Sequence, residues 1–256
     1  MAEFKSWHSF WEFEQAIARR TRYVRDRETE GFLEMVRQTA ENRILMLQPQ
    51  TSLWRAQLGS GREPHCANGV LVGDFPCPLE QDRMKPRREC ATEGRANPKG
   101  IPSLYLATDQ ETAIGEVRPW IGSDVSVGLF KTCRELKVVK CMTDGGPDHL
   151  GRYLFSEAEP PAEEREEAVW ICIDQAFARP VAPSDNVADY APSQIIAELF
   201  KVQKYDGIAY RSSVSDTGYN VALFDLDAAD LVQCHLLRVK SIKCESKEVA
   251  IPVQYG

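Results

Sequence analysis

After residue 102 the chain alternates short apolar runs with stretches of helical periodicity. The apolar runs are residues 103–108, 125–130, 136–142, 208–210 and 221–224. Their lengths are typical of strands, whereas the segments between them place apolar residues three or four positions apart, as helices do. No run approaches the roughly 18 apolar residues that a membrane-spanning helix needs. The pattern therefore predicts an α+β fold without a membrane span.

The ends of two helices can be predicted in this region. Thr108-Asp-Gln-Glu111 is a capping-box signature, in which a threonine oxygen and a glutamate satisfy free N–H groups at a helix start. This helix is predicted to carry Trp120 on its apolar face and to be disrupted by Pro119. Pro192 is predicted to open the second helix. Residues 157–167, with six glutamates and one arginine, predict a solvated turn or loop.

The N-terminal segment is rich in charge and has two helical apolar faces. The first face contains Trp7, Phe10, Trp11 and Ile17, and the second contains Phe32, Val36, Ala40, Ile44 and Leu47. Up to Gln48 there are eight basic and eight acidic residues, and Pro49 follows. We expect a helical hairpin that packs on the rest of the protein as a stabilising extension, and its aromatic cluster keeps a partner-binding role open.

Residues 59–102 are rich in Gly, Pro, Arg and Cys. A connection of this length is usually functional or disordered. It contains His65, Cys66, Cys77 and Cys90, but their spacing matches no common zinc pattern. We therefore expect no metal site.

Charge and cysteine content limit the classes of function. Lys plus Arg total 31 and Asp plus Glu total 38, so the net charge is −7. This balance gives no support to non-specific nucleic-acid binding. The first 20 residues contain no uninterrupted apolar stretch like that of a signal peptide. The eight cysteines form no Cys-x-x-Cys pair and are expected to be reduced thiols of a cytoplasmic protein.

Polar residues embedded in apolar elements are the strongest local signal of a site. Arg55 and Tyr105 fall inside predicted strands, Glu116 falls on a predicted helix, and Ser212 and Ser213 follow a strand. On composition alone, these would be a salt-bridge arginine, a core tyrosine, an exposed helix charge and the serines of a turn. Dinucleotide-binding glycine motifs, P-loops, HExxH and GxSxG are absent from the sequence. Its four histidines are isolated, so no spacing favours a Ser-His-Asp triad.

Three long motifs change this interpretation. They are LWRAQ at 53–57, GRANPKGIPSLYLATDQETAIGEVRPW at 94–120, and YAPSQIIAELFKVQKYDGIAYRSSVSDTGYNVALFD at 190–225. In this order they resemble the RES domain family, which is named for an Arg, a Glu and a Ser. The resemblance runs from Leu53 to Phe224. It predicts a catalytic domain over residues 49–256, preceded by the helical extension over residues 1–48.

The resemblance implies a fold similar to ADP-ribosyltransferases, with a mixed sheet at its core. It also implies an NAD⁺-consuming toxin of a toxin–antitoxin system, which cleaves the nicotinamide–ribose bond by hydrolysis or phosphorolysis. NAD⁺ is then the substrate, and no true cofactor is expected. The partners in the family are antitoxins with a helix-turn-helix DNA-binding domain that block the toxin's site. Whether the protein forms a homo-oligomer is left open by the sequence.

The resemblance also implies which residues bind the dinucleotide. Arg55 is expected to hold the phosphates or the adjacent ribose, because a guanidinium offers a fixed fork of donors. Arg95 is the second candidate for that role. Arg211 is a further place to look for a local arginine pocket, since the net charge of the whole chain does not attract an anion.

The remaining candidates concern the bond that breaks. Tyr105 is expected to stack on nicotinamide or to form a hydrogen bond near it. Glu116 is expected to accept from a ribose hydroxyl and stabilise the oxocarbenium, or to orient the nucleophile. Ser212, with Ser213 as its fallback, is expected to bind the amide or the ribose. Asn220 is expected to hold the final strand and loop.

Two alternatives remain open from the sequence. One is a mono-ADP-ribosyltransferase that modifies a protein, which shares the first bond cleavage and differs in the nucleophile. The other is a non-catalytic module that keeps the fold and binds a nucleotide. Turnover of NAD⁺ separates the second alternative from the enzymes.

Overall fold

In the computed structural model the N-terminal residues form two helices that pack on each other. The structure describes residues 3–89, 91–144, 147–153, 158–179 and 187–243. Helix α1 spans Ser9–Arg19 and helix α2 spans Arg27–Ala40. The rings of Phe13 and Phe32 stack between them with centroids 4.5 Å apart. The predicted pair of helices is therefore confirmed up to Ala40.

The other elements follow in chain order. The strands are β1 (Ile44–Leu47), β2 (Ser52–Leu58), β3 (Gly61–Ala67), β4 (Val70–Cys77), β5 (Leu104–Ala107), β6 (Asp124–Thr132), β7 (Leu136–Lys140), β8 (Gly207–Arg211), β9 (Tyr219–Leu223) and β10 (Ala229–Arg238). The helices are α3 (Gln81–Met84), α4 (Gln110–Glu116), α5 (Ala162–Ala178) and α6 (Ala191–Val202), with 3-10 turns at Pro147–Arg152 and Val187–Tyr190. The predicted α+β class is confirmed. None of the described helices is long and apolar enough to cross a membrane.

Eight strands form one mixed sheet in the order β1-β7-β8-β9-β5-β2-β6-β10. Strands β7 and β8 are parallel, and the other neighbours are antiparallel. This order places β5 between β9 and β2, so segments that are distant in sequence lie side by side. The site described below is built at this part of the sheet.

The helical prediction is wrong for residues 44–47, which form β1. This strand pairs antiparallel with β7, with Ile44 opposite Val139. The spacing of Ala40, Ile44 and Leu47 suits a helix, but β7 offers a row of hydrogen-bonding groups that only an extended segment can use. The division of the chain at residue 48 stays a prediction, and residues 244–256 of the predicted catalytic domain lie outside the described residues.

The predicted loop at residues 59–102 contains regular structure. Strands β3 and β4 form a separate two-stranded sheet. The two residues between them, Asn68 and Gly69, both have positive φ, at 52° and 80°. An Asn-Gly pair adopts this backbone readily, and it makes the tight turn of a β-hairpin. Cys90, one of the four residues considered for zinc, lies outside the described residues.

Helix α5 replaces the predicted loop over residues 162–167, whereas residues 158–161 are not helical and Glu157 lies outside the described residues. The helix begins directly after Pro161, and Glu163 and Glu164 occupy its first turn, where carboxylates interact favourably with the helix dipole. The glutamate run is therefore a helix start rather than a turn. Farther along α5, Trp170 is fully buried and donates to Thr39 Oγ1 at 3.1 Å.

Helix α4 is shorter than predicted. It ends at Glu116, and Arg118 has a positive φ of 45°, which is incompatible with a continuing helix. Trp120 was predicted on the apolar face of this helix. It lies beyond the helix end and is 81% exposed. Pro119 thus follows a helix that has already stopped.

Candidate active site

A cavity of about 440 Å³, here called the central cavity, lies where β9, β5 and β2 are neighbours. Its lining includes Arg55 from β2, Tyr105 from β5, Glu116 at the end of α4, Asn220 from β9, and Arg95 from the segment before β5. Five of the eight residues singled out with the resemblance therefore line one cavity. The two serines and Arg211 are described below.

Glu116 is the hydrogen-bonded centre of this group. Its Oε1 atom accepts from Ser212 Oγ at 2.8 Å and from Asn220 Nδ2 at 2.6 Å. Ser212 and Asn220 are each only 5% exposed, whereas Glu116 is open to solvent. Two buried donors on one oxygen hold the carboxylate in one orientation at the cavity. The sequence separations of these pairs are 96 and 104 residues, so only the folded sheet brings them together.

The helix that carries Glu116 does not start at the predicted cap. Asp109 caps it instead, because its Oδ1 accepts from Thr112 N at 2.7 Å and its Oδ2 accepts from Thr112 Oγ1 at 2.8 Å. Thr108, the predicted cap, pairs with β9: its Oγ1 accepts from Tyr219 N at 3.0 Å. Both residue types suit an N-cap. Thr108 is already bonded to the strand that carries Asn220, which leaves the cap to Asp109.

Arg55 contributes a half-buried positive charge to the wall of the central cavity. Its Nη1 donates to the carbonyl oxygen of Tyr105 at 2.9 Å. Its Nε is buried and has no hydrogen-bond partner among the described residues. Burial lowers the pKa of Arg55 to about 10, so the guanidinium is still charged at neutral pH. A half-buried cation with a buried, unused donor suits an anionic or strongly polar ligand.

Tyr105 holds the segment before β5 through its hydroxyl. The hydroxyl donates to Asn97 Oδ1 at 2.7 Å and accepts from Ala96 N at 2.9 Å. Burial raises the pKa of Tyr105, so the hydroxyl remains a donor. The hydrogen bond near nicotinamide and the stacking through the ring both stay predictions.

Gly94 explains part of the GRANP motif. A Cβ at this position would lie 2.5 Å from the Tyr105 hydroxyl oxygen, which is too close for any side chain. Arg95 follows and is itself buried. Its Cζ lies 4.4 Å from the centre of the Tyr190 ring, a cation–π contact that fixes the guanidinium at the cavity.

A second cavity of about 430 Å³, here called the side cavity, adjoins the central cavity. Ala178 and Arg179, at the end of α5, line both. Ser212 and Ser213 line the side cavity, and Ser213 is exposed. Among the described contacts, Ser212 rather than Ser213 reaches Glu116. Ser212 therefore lies between the two cavities.

Sequence reasoning missed the residues that α5 brings to the site. Asp174 Oδ1 accepts from Arg211 N at 2.8 Å and its Oδ2 from Arg211 Nε at 3.4 Å, which fixes the end of β8 directly before Ser212. Phe177 and Arg179 line the central cavity. The available signal was Pro161 followed by acidic residues and then apolar positions, a pattern typical of a helix start. The six glutamates of residues 157–167 led to the prediction of a solvated loop instead.

Over the described ranges, no group of three or more His, Cys, Asp or Glu residues could hold a metal ion. Cys66 and Cys77, on the hairpin of β3 and β4, are free thiols.

The sequence model of the RES domain family matches residues 80–242, which are more than half of the chain. Tyr105, Glu116 and Ser212 lie inside this range, and Arg55 precedes it. No curated protein matches the chain. A similar solved structure is the crystal structure of the M. tuberculosis MbcT-MbcA toxin-antitoxin complex, at 15% identity and a TM-score of 0.44. The likeness covers 80% of this chain and 93% of that one.

Proposed function

Because the chain belongs to the RES domain family, we propose that it is an NAD⁺-consuming toxin that cleaves the bond between nicotinamide and ribose. The observation that carries this proposal is the Glu116 carboxylate, held by Ser212 and Asn220 at a cavity that also contains Arg55. A fixed carboxylate and a half-buried cation on the wall of one cavity suit a substrate that is anionic in one part and develops positive charge in another.

Bond cleavage requires stabilisation of the charge that develops on the sugar. As the bond between C1 of the ribose and the nicotinamide nitrogen breaks, its electron pair leaves with neutral nicotinamide and the ribose becomes oxocarbenium-like. Glu116 is placed to accept a hydrogen bond from a ribose hydroxyl and to stabilise this charge electrostatically. Ser212 and Asn220 keep the carboxylate oriented, so little reorganisation is needed during the reaction.

The two arginines of the central cavity suit the anionic part of NAD⁺. Arg55 is half-buried and has a buried Nε donor that is unused within the described residues. Arg95 is buried and held against Tyr190. A guanidinium binds phosphate or ribose oxygens through a planar fork of donors. The Tyr105 ring offers a flat surface for nicotinamide.

The acceptor of the ribosyl group completes the reaction. Water attacking C1 and losing a proton gives ADP-ribose, and phosphate gives a phosphorylated sugar product. A nucleophilic side chain of another protein gives the mono-ADP-ribosylated target. We expect water or phosphate as the acceptor. Incubation with NAD⁺, with and without phosphate and with cell extract, distinguishes the three by product.

The cellular part of the proposal rests on the family resemblance. We expect the protein to act on the cytoplasmic NAD⁺ pool and to be neutralised by an antitoxin with a helix-turn-helix domain that covers the site. Co-expression of such a partner from the same source should restore growth and NAD⁺ content together.

The test is NAD⁺ consumption by purified wild type and by Glu116→Gln. We expect the variant to lose NAD⁺ turnover by at least about 100-fold, the lower end of typical losses for such groups. It should also relieve growth inhibition on induced expression. Glutamine keeps the size and one acceptor oxygen, so circular dichroism and thermal unfolding should remain close to wild type.

Glu111→Gln is the matched control, because Glu111 lies on the same helix, is exposed and does not line the central cavity. It should consume NAD⁺ at the wild-type rate. Undiminished turnover by folded Glu116→Gln would remove Glu116 from the mechanism. Binding of NAD⁺ without consumption by wild type would favour a non-catalytic nucleotide-binding module.

A further inference from the structure

The side cavity adjoins the proposed site of cleavage and has no role in the chemistry described above. It lies between α1, the C-terminal half of α5 and the end of β8. Its size is close to that of the central cavity, about 430 and 440 Å³ respectively. NAD⁺ likewise consists of two nucleosides of similar size, joined by a pyrophosphate. A pair of adjoining cavities matches this two-part shape.

We propose that the side cavity binds the adenosine half of NAD⁺, with Trp11 stacking on adenine and Arg179 holding the pyrophosphate between the two cavities. The inference rests on the proposed cleavage of NAD⁺ in the central cavity. It assigns a substrate-binding role to α1, for which the sequence indicated a stabilising extension and left a partner-binding role open.

Trp11 is exposed in a way that its neighbours are not. It is 37% exposed, whereas Phe10 and Phe13 on the same helix are 3% and 2% exposed and belong to the core. The Trp7 ring holds it edge-on, with centroids 5.0 Å apart. An indole with a solvent-facing surface on a cavity wall is suited to stacking on a planar base.

Arg179 is the charged residue shared by the two cavities. It follows the last residue of α5 and is exposed, so its side chain has room to meet a ligand. A pyrophosphate between the two nucleosides would lie at this junction. The long, planar guanidinium can donate to oxygens of both phosphates.

The carboxylates of the side cavity favour a neutral group over a phosphate. Asp174 is paired with Arg211, so its charge is compensated within the protein. Glu14 is half-buried at the cavity wall. Burial raises its pKa above the ordinary value, and the nearby positive charge of Arg179 opposes this shift without cancelling it. A carboxylate here can accept hydrogen bonds from a ribose hydroxyl or an adenine amino group. It would repel a phosphate.

The experiment compares two substrates that contain the same scissile bond. NAD⁺ contains the adenosine half, and nicotinamide mononucleotide lacks it. Trp11→Leu should raise the KM for NAD⁺ on the order of tenfold, as expected for the loss of one base–aromatic stack. It should leave the KM and kcat for nicotinamide mononucleotide within about twofold, because that substrate does not reach Trp11.

A second measurement does not depend on turnover. AMP binding is measured by titration calorimetry on the wild-type protein and on the variants. We expect AMP to bind wild type, to compete with NAD⁺, and to lose affinity on the order of tenfold in Trp11→Leu. Trp120→Leu is the matched control, since Trp120 is 81% exposed and lines neither cavity. It should behave as wild type.

Arg179→Gln tests the junction and covers the case in which Trp11→Leu fails to fold. It should raise the KM for NAD⁺ more than the KM for nicotinamide mononucleotide, because that substrate keeps only one of the two phosphates that Arg179 contacts. Arg62→Gln is its control, because Arg62 is exposed on β3, away from both cavities.

The outcomes separate this inference from the proposed function. NAD⁺ turnover with no AMP binding, or with an unchanged KM for NAD⁺ in both variants, overturns the adenosine site and leaves cleavage standing. AMP binding that depends on Trp11, without NAD⁺ turnover, supports the adenosine site and overturns the proposed cleavage. If neither AMP binding nor NAD⁺ turnover is observed, both the adenosine site and the proposed cleavage are overturned.

Discussion

Replacing Tyr105 by Phe removes one hydroxyl that bridges two groups inside the protein. In the variant, Asn97 Oδ1 loses its hydrogen-bond donor and the Ala96 N–H loses its acceptor. Asn97 is 3% exposed and Ala96 is 4% exposed, so water does not readily replace the lost partner. Leaving a buried polar group unpaired costs about 1–3 kcal/mol. For two such groups with some relaxation, we expect the free energy of unfolding to fall by about 3 kcal/mol.

Thermal and urea unfolding measure this change directly. For a chain of this length, a loss of about 3 kcal/mol corresponds to a fall in Tm of roughly 6–12 °C. The steady-state kinetics should change in KM for NAD⁺ more than in kcat, because the hydroxyl is bonded to Asn97 and Ala96 and so positions the segment that carries Arg95. Tyr23→Phe is the control, since Tyr23 is 90% exposed and should leave both quantities unchanged.

Two results would refute the reasoning on Tyr105. One is a decrease in the free energy of unfolding of less than about 0.5 kcal/mol, which is the lower end for the net contribution of a single hydrogen bond. It would show that the two buried contacts contribute little to stability. A large loss of kcat at unchanged stability would show that the hydroxyl acts on the substrate, as the sequence resemblance had implied.

Two further predictions concern packing and pH. Gly94→Ala should lower the free energy of unfolding by about 1–3 kcal/mol, because its Cβ would lie 2.5 Å from the Tyr105 hydroxyl oxygen. Gly31→Ala, in α2 with no atom within 4 Å of the new Cβ, should instead stabilise by about 0.5–1 kcal/mol, and equal effects in urea unfolding would contradict the steric argument. Burial raises the pKa of Asp174 in the folded protein above its ordinary 3.8. This group therefore contributes stability at pH values below 3.8, and that contribution is lost as the pH rises through the folded-state pKa. The unfolding free energy of Asp174→Asn relative to wild type should therefore rise with pH over that range, and a pH-independent difference would contradict the assignment.

The parts of the site that could be predicted from sequence are those with a local signature. Tyr105 follows the GRANP segment within one motif, and Glu116 lies on a helix opened by a recognisable cap. The choice between Thr108 and Asp109 as that cap could not be made, because it depends on the hydrogen bonds of Thr108 to Tyr219, 111 residues away. A local pattern contains no information about such a partner.

The missed elements have a common physical cause. Residues 44–47 and α5 take their structure from what they pack against. Residues 44–47 are extended because β7 provides a pairing edge. Helix α5 buries Trp170 and Ile173 completely, although its first turns read as a charged loop. In both cases tertiary contacts decide between structures that the local sequence allows.

The position of α1 determines how its role can be tested. Dividing the chain at residue 48 separates Trp11 from the residues proposed to be catalytic, yet Trp11 lines the side cavity, which adjoins the central cavity that those residues line. Truncation at that boundary would remove β1 from the edge of the main sheet and uncover core residues such as Ala197 and Phe200 on α6, which share a cluster with both N-terminal helices. Loss of activity in such a truncation would follow from lost packing, whatever α1 does for the substrate. Only substitutions that keep α1 folded, such as Trp11→Leu, separate substrate binding from stability.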